Sequence, residues 1–249
     1  IVVLVSLLFF QLIFSFLFPS CGSSDSWQPI SAYLPKFSAE SSDGFLLSKV
    51  YPLISSEYRL NSDIGHYLEL GRNFSPQYFE GNPFLERPLY PFLIFLSSLP
   101  VRLFAAPSYG IIFGLAILVN FILISLAVVL FFWLLKTIFS LKTAWLSSIL
   151  LIFSPFSHSY LNQPLAEMLM VFAVVASVCL LYNYIKKPTT LKLIIFSLII
   201  GTFMLGKMFF AISFFILLLA FYSRRCKEGI IFLIVHLTPF LLWYTFVTR

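Results

Sequence analysis

The sequence has few charged residues, and this shortage excludes most water-soluble folds. Only 10% of the 249 residues are Asp, Glu, Lys or Arg, whereas 60% are hydrophobic and the mean hydropathy is +0.97. Soluble domains contain about 25% charged residues. We therefore interpret the chain as an integral membrane protein.

The sequence also has few residues that bind metals or nucleotides. Its three cysteines, Cys21, Cys179 and Cys226, stand apart, which excludes a disulfide framework and a cysteine-based zinc site. The three histidines form no metal-binding spacing, and no glycine-rich loop is present that could hold the phosphates of a nucleotide. We also see no internal repeat or low-complexity tract, and nothing indicates a nucleic-acid partner.

Long apolar runs are what the sequence has instead. Crossing a hydrocarbon core of about 30 Å takes roughly 20 helical residues. The runs that approach or exceed this length are 1–18, 109–135, 143–160, 165–185, 190–206, 208–222 and 229–247. The clearest is 109–135, in which Asn120 is the one strongly polar residue. Since the chain starts at Ile1 and stops at Arg249 directly after an apolar run, we expect it to be a fragment of a longer protein.

The distribution of charge predicts a topology. The short loops 136–142, 186–192 and 224–227 together hold eight of the sixteen Lys and Arg residues. Basic residues on short loops mark the cytoplasmic side. This predicts an all-α polytopic bundle with three parts: a first transmembrane helix (1–18), an extracytoplasmic loop with juxtamembrane helices (19–108), and a bundle of about six helices (109–249).

This topology requires that residues 88–105 do not cross the membrane. Pro91, Pro100 and Arg102 make this segment a poor spanning helix, so we expect an interfacial helix lying in the headgroup region. The alternative, an eighth span, would place the basic clusters outside.

The candidate chemistry begins at Ser62, which can cap a helix starting at Asp63. Asp63, His66 and Tyr67 then fall on neighbouring positions of one side of that helix. A short amphipathic helix on the membrane surface would produce the same pattern without catalysis. A divalent metal held by Asp63, His66 and Glu86 is a further hypothesis, which no motif supports.

Three more residues are candidates because of where their charge lies. Pro88 keeps Arg87 extended, and an extended Arg can bind a phosphate through two hydrogen bonds or simply anchor the chain to lipid headgroups. Glu167 enters a predicted span, which is costly for a charge and typical of function, although a first-turn Glu also stabilises a helix start. Lys207 separates two short apolar runs, either as a functional cation or as a snorkelling residue.

Four short motifs occur in an order that resembles a known family. They are Asp63 with Tyr67; Arg87-Pro88-Leu89-Tyr90-Pro91; Ser154-Pro155 with Tyr160 and Glu167; and Gly201 with Leu205 and Lys207. With them the chain resembles the N-terminal part of a GT-C-fold glycosyltransferase, of the dolichyl-phosphate-mannose protein mannosyltransferase and bacterial lipid A aminoarabinose transferase type. It departs from that pattern at Lys207, where relatives more often carry Arg, and at Asp63, which has no adjacent second acid.

The resemblance implies a function. The donor would be a sugar on a polyprenyl phosphate, and the acceptor a hydroxyl of a glycan, lipid or protein outside the cytoplasm. Asp63 would be the general base and Glu167 would assist it, position the acceptor or help bind a metal. Arg87 and Lys207 would bind the lipid phosphate, together with Tyr67 and Tyr90.

The resemblance also implies a multi-pass integral membrane protein with an extracytoplasmic active site, lying in the inner or plasma membrane of the cell if the protein is bacterial. It points to no particular cofactor, and a divalent metal stays open. The alternatives from other classes are a transporter or lipid flippase and a non-catalytic membrane scaffold.

Overall fold

The computed structural model describes residues 59–75, 87–161, 163–206 and 225–247, together with 4, 7, 8, 11, 27–29, 79, 213, 216 and 217. The described part is almost entirely helical. A two-stranded antiparallel ribbon pairs β1 (Trp27–Pro29) with β2 (Arg59–Asn61). The helices are α1 (Ser62–Arg72), α2 (Leu89–Arg102), α3 (Tyr109–Ile138), α4 (Leu141–Ile152), α5 (Pro155–Tyr160), α6 (Glu167–Lys186), α7 (Thr190–Met204) and α8 (Cys226–Val247).

Three of these helices, α3, α6 and α8, are long and apolar enough to cross a membrane. They confirm the helices predicted from the apolar runs 109–135, 165–185 and 229–247. Apolar sequence also forms the shorter helices α2 and α7, of 14 and 15 residues. At about 1.5 Å per residue, each extends for only about 21–23 Å, which is less than the hydrocarbon thickness of about 30 Å.

The prediction of one spanning helix over 143–160 is wrong. Helix α4 ends at Ile152, and α5 begins at Pro155 after a break at Phe153 and Ser154. Proline lacks a backbone N–H and therefore starts a helix more readily than it continues one. The hydroxyl oxygen of Ser154 accepts a hydrogen bond from the N–H of Ser157 at 3.1 Å, which caps the new helix.

Two other predicted spans lie largely outside the described residues. Of the run 1–18, residues 4, 7, 8 and 11 are described, and they are helical. Of the run 208–222, residues 213, 216 and 217 are described, and they are helical as well.

The chain forms two compact units. The first comprises Ile1–Phe74 and Tyr90–Met168, and the second Ser75–Leu89 and Leu169–Arg249. The boundary predicted at residue 108, between the extracytoplasmic loop and the transmembrane bundle, follows from membrane topology. Packing does not test that topology, so the boundary stays a prediction. In the first unit, α3 packs on α4, with the rings of Phe132 and Trp145 in edge-to-face contact at 5.2 Å.

The second unit is built around the contact of α7 with α8. A Cβ atom on Gly201 would clash with the backbone carbonyl of His236, so only glycine allows this close approach. Aromatic rings continue the interface from Phe196 to Phe232 and from Phe232 to His236, with centroids 5.6 and 5.1 Å apart. The hydroxyl of Tyr184 donates to Glu228 Oε2 at 2.6 Å near the start of α8.

Candidate functional site

Helix α1 carries the predicted base near its first turn. The helix begins at Ser62, one residue before the predicted start, so Asp63 lies at its beginning and Tyr67 one turn further along the same face. The side chain of Asp63 lies outside the described part of the structure. Tyr67 is buried, whereas His66 is exposed. The prediction that His66 and Tyr67 share one side is therefore wrong, because consecutive helical residues point about 100° apart.

In the first unit, Tyr90 of α2 contacts residues of both α1 and α3. Its ring packs edge to face on Tyr67, with centroids 5.2 Å apart and an angle of 87° between the planes. Tyr67 is 1% exposed and Tyr90 is fully buried. The hydroxyl of Tyr90 donates to Oδ1 of Asn120, in α3, at 2.9 Å. The phenol that was predicted to bind a phosphate is therefore engaged by a neutral amide.

Asn120 extends this contact to the segment before α6. Its Nδ2 group donates to the backbone carbonyl of Gln163, which also accepts from the N–H of Leu165 at 2.7 Å. The N–H of Gln163 donates to the carbonyl of Tyr160 at 3.3 Å. Asn120 itself is fully buried. These bonds hold the connection between α5 and α6 against the middle of α3.

The side chain of Gln163 contrasts with its backbone. It is 4% exposed, and within the described part of the chain its oxygen Oε1 has no hydrogen-bond partner. A buried acceptor without a donor costs about 1–3 kcal/mol. Such groups are rare in native structures unless water or a ligand satisfies them.

Glu167 is the first residue of α6, as predicted, and it is half-buried. A carboxylate at this position is stabilised by the free N–H groups of the first helical turn. Burial raises the pKa of Tyr90 well above its usual value, and Tyr67 and the negative charge of Glu167 raise it further. The hydrogen bond to Asn120 lowers the same pKa by a smaller amount. Tyr90 therefore stays neutral at physiological pH and acts as a donor.

Contacts at the other end of α1 hold it in register with α2. Nη2 of Arg102 donates to the carbonyl of Gly71 at 3.3 Å and to that of Arg72, and Nε donates to Ser98 Oγ at 2.7 Å. A Cβ atom on Gly71 would lie 2.7 Å from Cγ2 of Ile94, so glycine allows the close packing here. This register is what brings Tyr67 against Tyr90.

In the second unit, the segment Arg87-Pro88-Leu89 is hydrogen-bonded to the end of α7. The N–H of Leu89 donates to the carbonyl of Leu205 at 3.0 Å. Arg87, two residues before Leu89, is half-buried. Lys207, two residues after Leu205, lies outside the described residues, as does Glu86. The two motifs that supply the predicted phosphate-binding cations are thus hydrogen-bonded to each other through their backbones.

The described residues do not test the metal hypothesis. His66 is exposed, and the side chains of Asp63 and Glu86 are not among those the structure describes. Over the described ranges, no group of three His, Cys, Asp or Glu side chains could hold a metal ion.

Sequence reasoning found Tyr67, Tyr90 and Glu167, which the first unit brings together, but it missed Asn120 and Gln163 as members of the same cluster. For Asn120 a signal was present, because it interrupts an otherwise uncharged apolar run. For Gln163 no such signal existed, since glutamine in a loop is ordinary.

No protein-family model, no curated protein and no solved structure matches the chain.

Proposed function

We propose that this protein is a polytopic membrane glycosyltransferase with a GT-C-like arrangement. It transfers a sugar from a polyprenyl phosphate to an acceptor hydroxyl on the extracytoplasmic side, with inversion at the anomeric carbon. Helices α3, α6 and α8 supply three of its spans, and α2 lies in the membrane interface.

The cluster at Tyr90 is the observation that carries the proposal. Tyr90 contacts Tyr67 through its ring and Asn120 through its hydroxyl, and it interacts electrostatically with Glu167. Three of the four motifs behind the family resemblance are thus represented around one side chain, although they are distant in sequence. A membrane scaffold without catalysis gives no reason for this convergence of polar groups, whose burial is costly.

The chemistry of transfer assigns a role to each residue. The carboxylate of Asp63 takes the proton of the acceptor hydroxyl, and the resulting oxygen attacks the anomeric carbon. The bond between that carbon and the phosphate oxygen breaks, and polyprenyl phosphate leaves with the bonding electrons. Glu167 positions the acceptor, and Tyr67 and Tyr90 position α1, which carries Asp63.

The leaving phosphate gains negative charge in the transition state, so it needs cations. Arg87 and Lys207 fill this role in our proposal. The hydrogen bond from Leu89 to Leu205 supports it, because it joins the two segments that carry them. Arg87 can make two parallel hydrogen bonds to a phosphate, whereas a lysine acts as a point charge.

The distribution of charge argues against the transporter alternative. Transporters and flippases commonly place ionisable residues along the middle of several spans. In α3 the stretch 109–135 has no charged residue, and the same holds for 169–185 in α6 and 229–247 in α8. The Asp, Glu, Lys and Arg residues of these helices lie at their ends, and only His236 lies near the middle of a span, in α8.

The decisive experiment replaces Asp63 with Asn and with Ala. The full chain is purified into lipid nanodiscs, and transfer of radiolabelled sugar from undecaprenyl-phosphate donors is measured. We expect both variants to lose transfer by at least about 10²-fold, because general-base catalysis contributes roughly 10²–10⁴-fold. Membrane insertion should be unchanged.

Glu228→Gln is the matched control, since it removes a carboxylate near the start of α8 and should leave transfer unchanged. Full activity in both Asp63 variants would refute the assignment of the base. An Asp63 variant that fails to insert would point to a structural role instead.

A further inference from the structure

The unpaired side-chain oxygen of Gln163 is a feature that the proposed chemistry does not use. Its oxygen Oε1 is buried and without a partner in the described residues, while its backbone N–H and carbonyl are both hydrogen-bonded. The missing partner therefore concerns the side chain alone. The bond from Asn120 anchors the backbone that carries this side chain.

The surroundings indicate which ligand chemistry fits there. An amide oxygen accepts hydrogen bonds and does not donate them. Glu167, four residues along the chain at the start of α6, carries a carboxylate, which also only accepts. An unpaired buried acceptor oxygen suits an O–H group of a ligand, whereas a phosphate dianion offers only acceptor oxygens and negative charge. The Gln163 oxygen is therefore better suited to a hydroxyl group than to the lipid phosphate.

We infer that Gln163 binds a hydroxyl group of the substrate through its side-chain oxygen, and so helps to determine specificity at the site described above. The inference rests on the proposed function, which supplies two sources of such a hydroxyl. One is the sugar of the donor lipid, and the other is the acceptor.

The test uses Gln163→Met, which keeps the length of the side chain and removes its polar end. The full chain in nanodiscs is titrated with undecaprenyl phosphate and with its mannose, glucose and arabinose phosphodiesters, and Kd is measured for each. A second arm measures KM and kcat for two acceptor probes, a Ser/Thr-containing peptide and lipid A. Ser148→Ala is the matched control, because Ser148 Oγ is another buried oxygen without a partner in the described part of the chain.

We expect Gln163→Met to raise either the Kd of a sugar-bearing lipid or the KM of an acceptor by about tenfold, equivalent to about 1.4 kcal/mol. Binding of bare undecaprenyl phosphate should be unchanged, and kcat should be retained. A higher Kd assigns the hydroxyl to the sugar, and a higher KM assigns it to the acceptor. Ser148→Ala should change neither value.

Three results would overturn the inference. If the wild type binds a sugar-bearing lipid and Gln163→Met binds it equally well, with unchanged KM, Gln163 has no role and the proposed function stands. Equal weakening of sugar-bearing and bare lipids, or the same effect from Ser148→Ala, would reveal general damage to the fold. If the wild type binds no prenyl phosphate, the proposed function fails and the inference fails with it.

Discussion

The hydrogen bond between Tyr90 and Asn120 offers the most direct test of the cluster. Replacing Tyr90 with Phe removes one hydroxyl and keeps the ring that packs on Tyr67. Oδ1 of Asn120 then loses its donor in a fully buried position. Nδ2 of Asn120 keeps its bond to the carbonyl of Gln163, so the rest of the cluster should stay in place.

The expected loss of stability follows from the burial of both partners. Leaving a buried acceptor without its donor costs about 1–3 kcal/mol, and we expect Tyr90→Phe to fall in that range. Asn120→Leu is of similar size and leaves the hydroxyl of Tyr90 without an acceptor. Removing both partners together is often nearly neutral. The double variant should therefore be more stable than the sum of the single losses predicts, by about 0.5–1.5 kcal/mol.

A double-mutant cycle measures this coupling. The free energy of unfolding of the wild type, the two single variants and the double variant is obtained by SDS titration in mixed micelles, followed by tryptophan fluorescence. Tyr244→Phe is the matched control, because Tyr244 is 54% exposed and should lose less than about 0.5 kcal/mol.

Additivity would refute this reasoning. If the losses of Tyr90→Phe and Asn120→Leu add within about 0.3 kcal/mol, the two side chains do not stabilise each other. The cluster would then not be held together as the distances indicate. A loss from Tyr244→Phe as large as that from Tyr90→Phe would show that burial does not control the effect.

Two further predictions concern glycine packing and pH. Gly201→Ala should lower the free energy of unfolding by about 1–3 kcal/mol, since the added methyl group meets the carbonyl of His236. Gly114→Ala is the control and should be neutral or stabilising, because its methyl group meets nothing within 4 Å. Equal effects of the two substitutions in SDS titrations would contradict this packing. Burial, and after it Tyr67 and Glu167, raise the pKa of Tyr90 well above its usual value of 10.0. The contribution of Tyr90 to stability is therefore complete below pH 10 and is lost as pH rises further, because only the unfolded state then loses the proton. Stability between pH 9 and pH 11 should therefore fall less in Tyr90→Phe than in the wild type, and parallel curves would contradict the raised pKa.

The helices that depend on local sequence were the easiest to predict. The apolar runs 109–135, 165–185 and 229–247 appear as α3, α6 and α8, with ends within a few residues of those expected. Length and hydropathy suffice for these, because an isolated apolar stretch satisfies its backbone polar groups by forming a helix. The start of α6 at Glu167 was predictable for a similar reason, since Pro164 and an acid in the first turn both favour a helix beginning.

The errors arose where the local preferences of individual residues outweighed the overall apolar pattern. Residues 143–160 are apolar enough for one helix, yet Ser154 and Pro155 end one helix and start another. A hydropathy window averages over such a pair and does not detect it. His66 and Tyr67 were placed on one side because they follow Asp63 by three and four positions. Consecutive helical residues point about 100° apart, however, and His66 is exposed whereas Tyr67 is buried.

The sequence by itself determined the apolar character of this chain, the bounds of its long helices and the residue types available for chemistry, because these depend on composition and on short-range periodicity. The tertiary structure alone decided that Tyr67, Tyr90, Asn120 and Gln163 form one buried cluster, and that Leu89 bonds to Leu205. Such contacts depend on how helices distant in sequence approach each other. Gly71 and Gly201 allow a close approach because they have no side chain. The physical reason is that hydrophobicity drives helices together without direction, whereas hydrogen bonds and close packing select one arrangement.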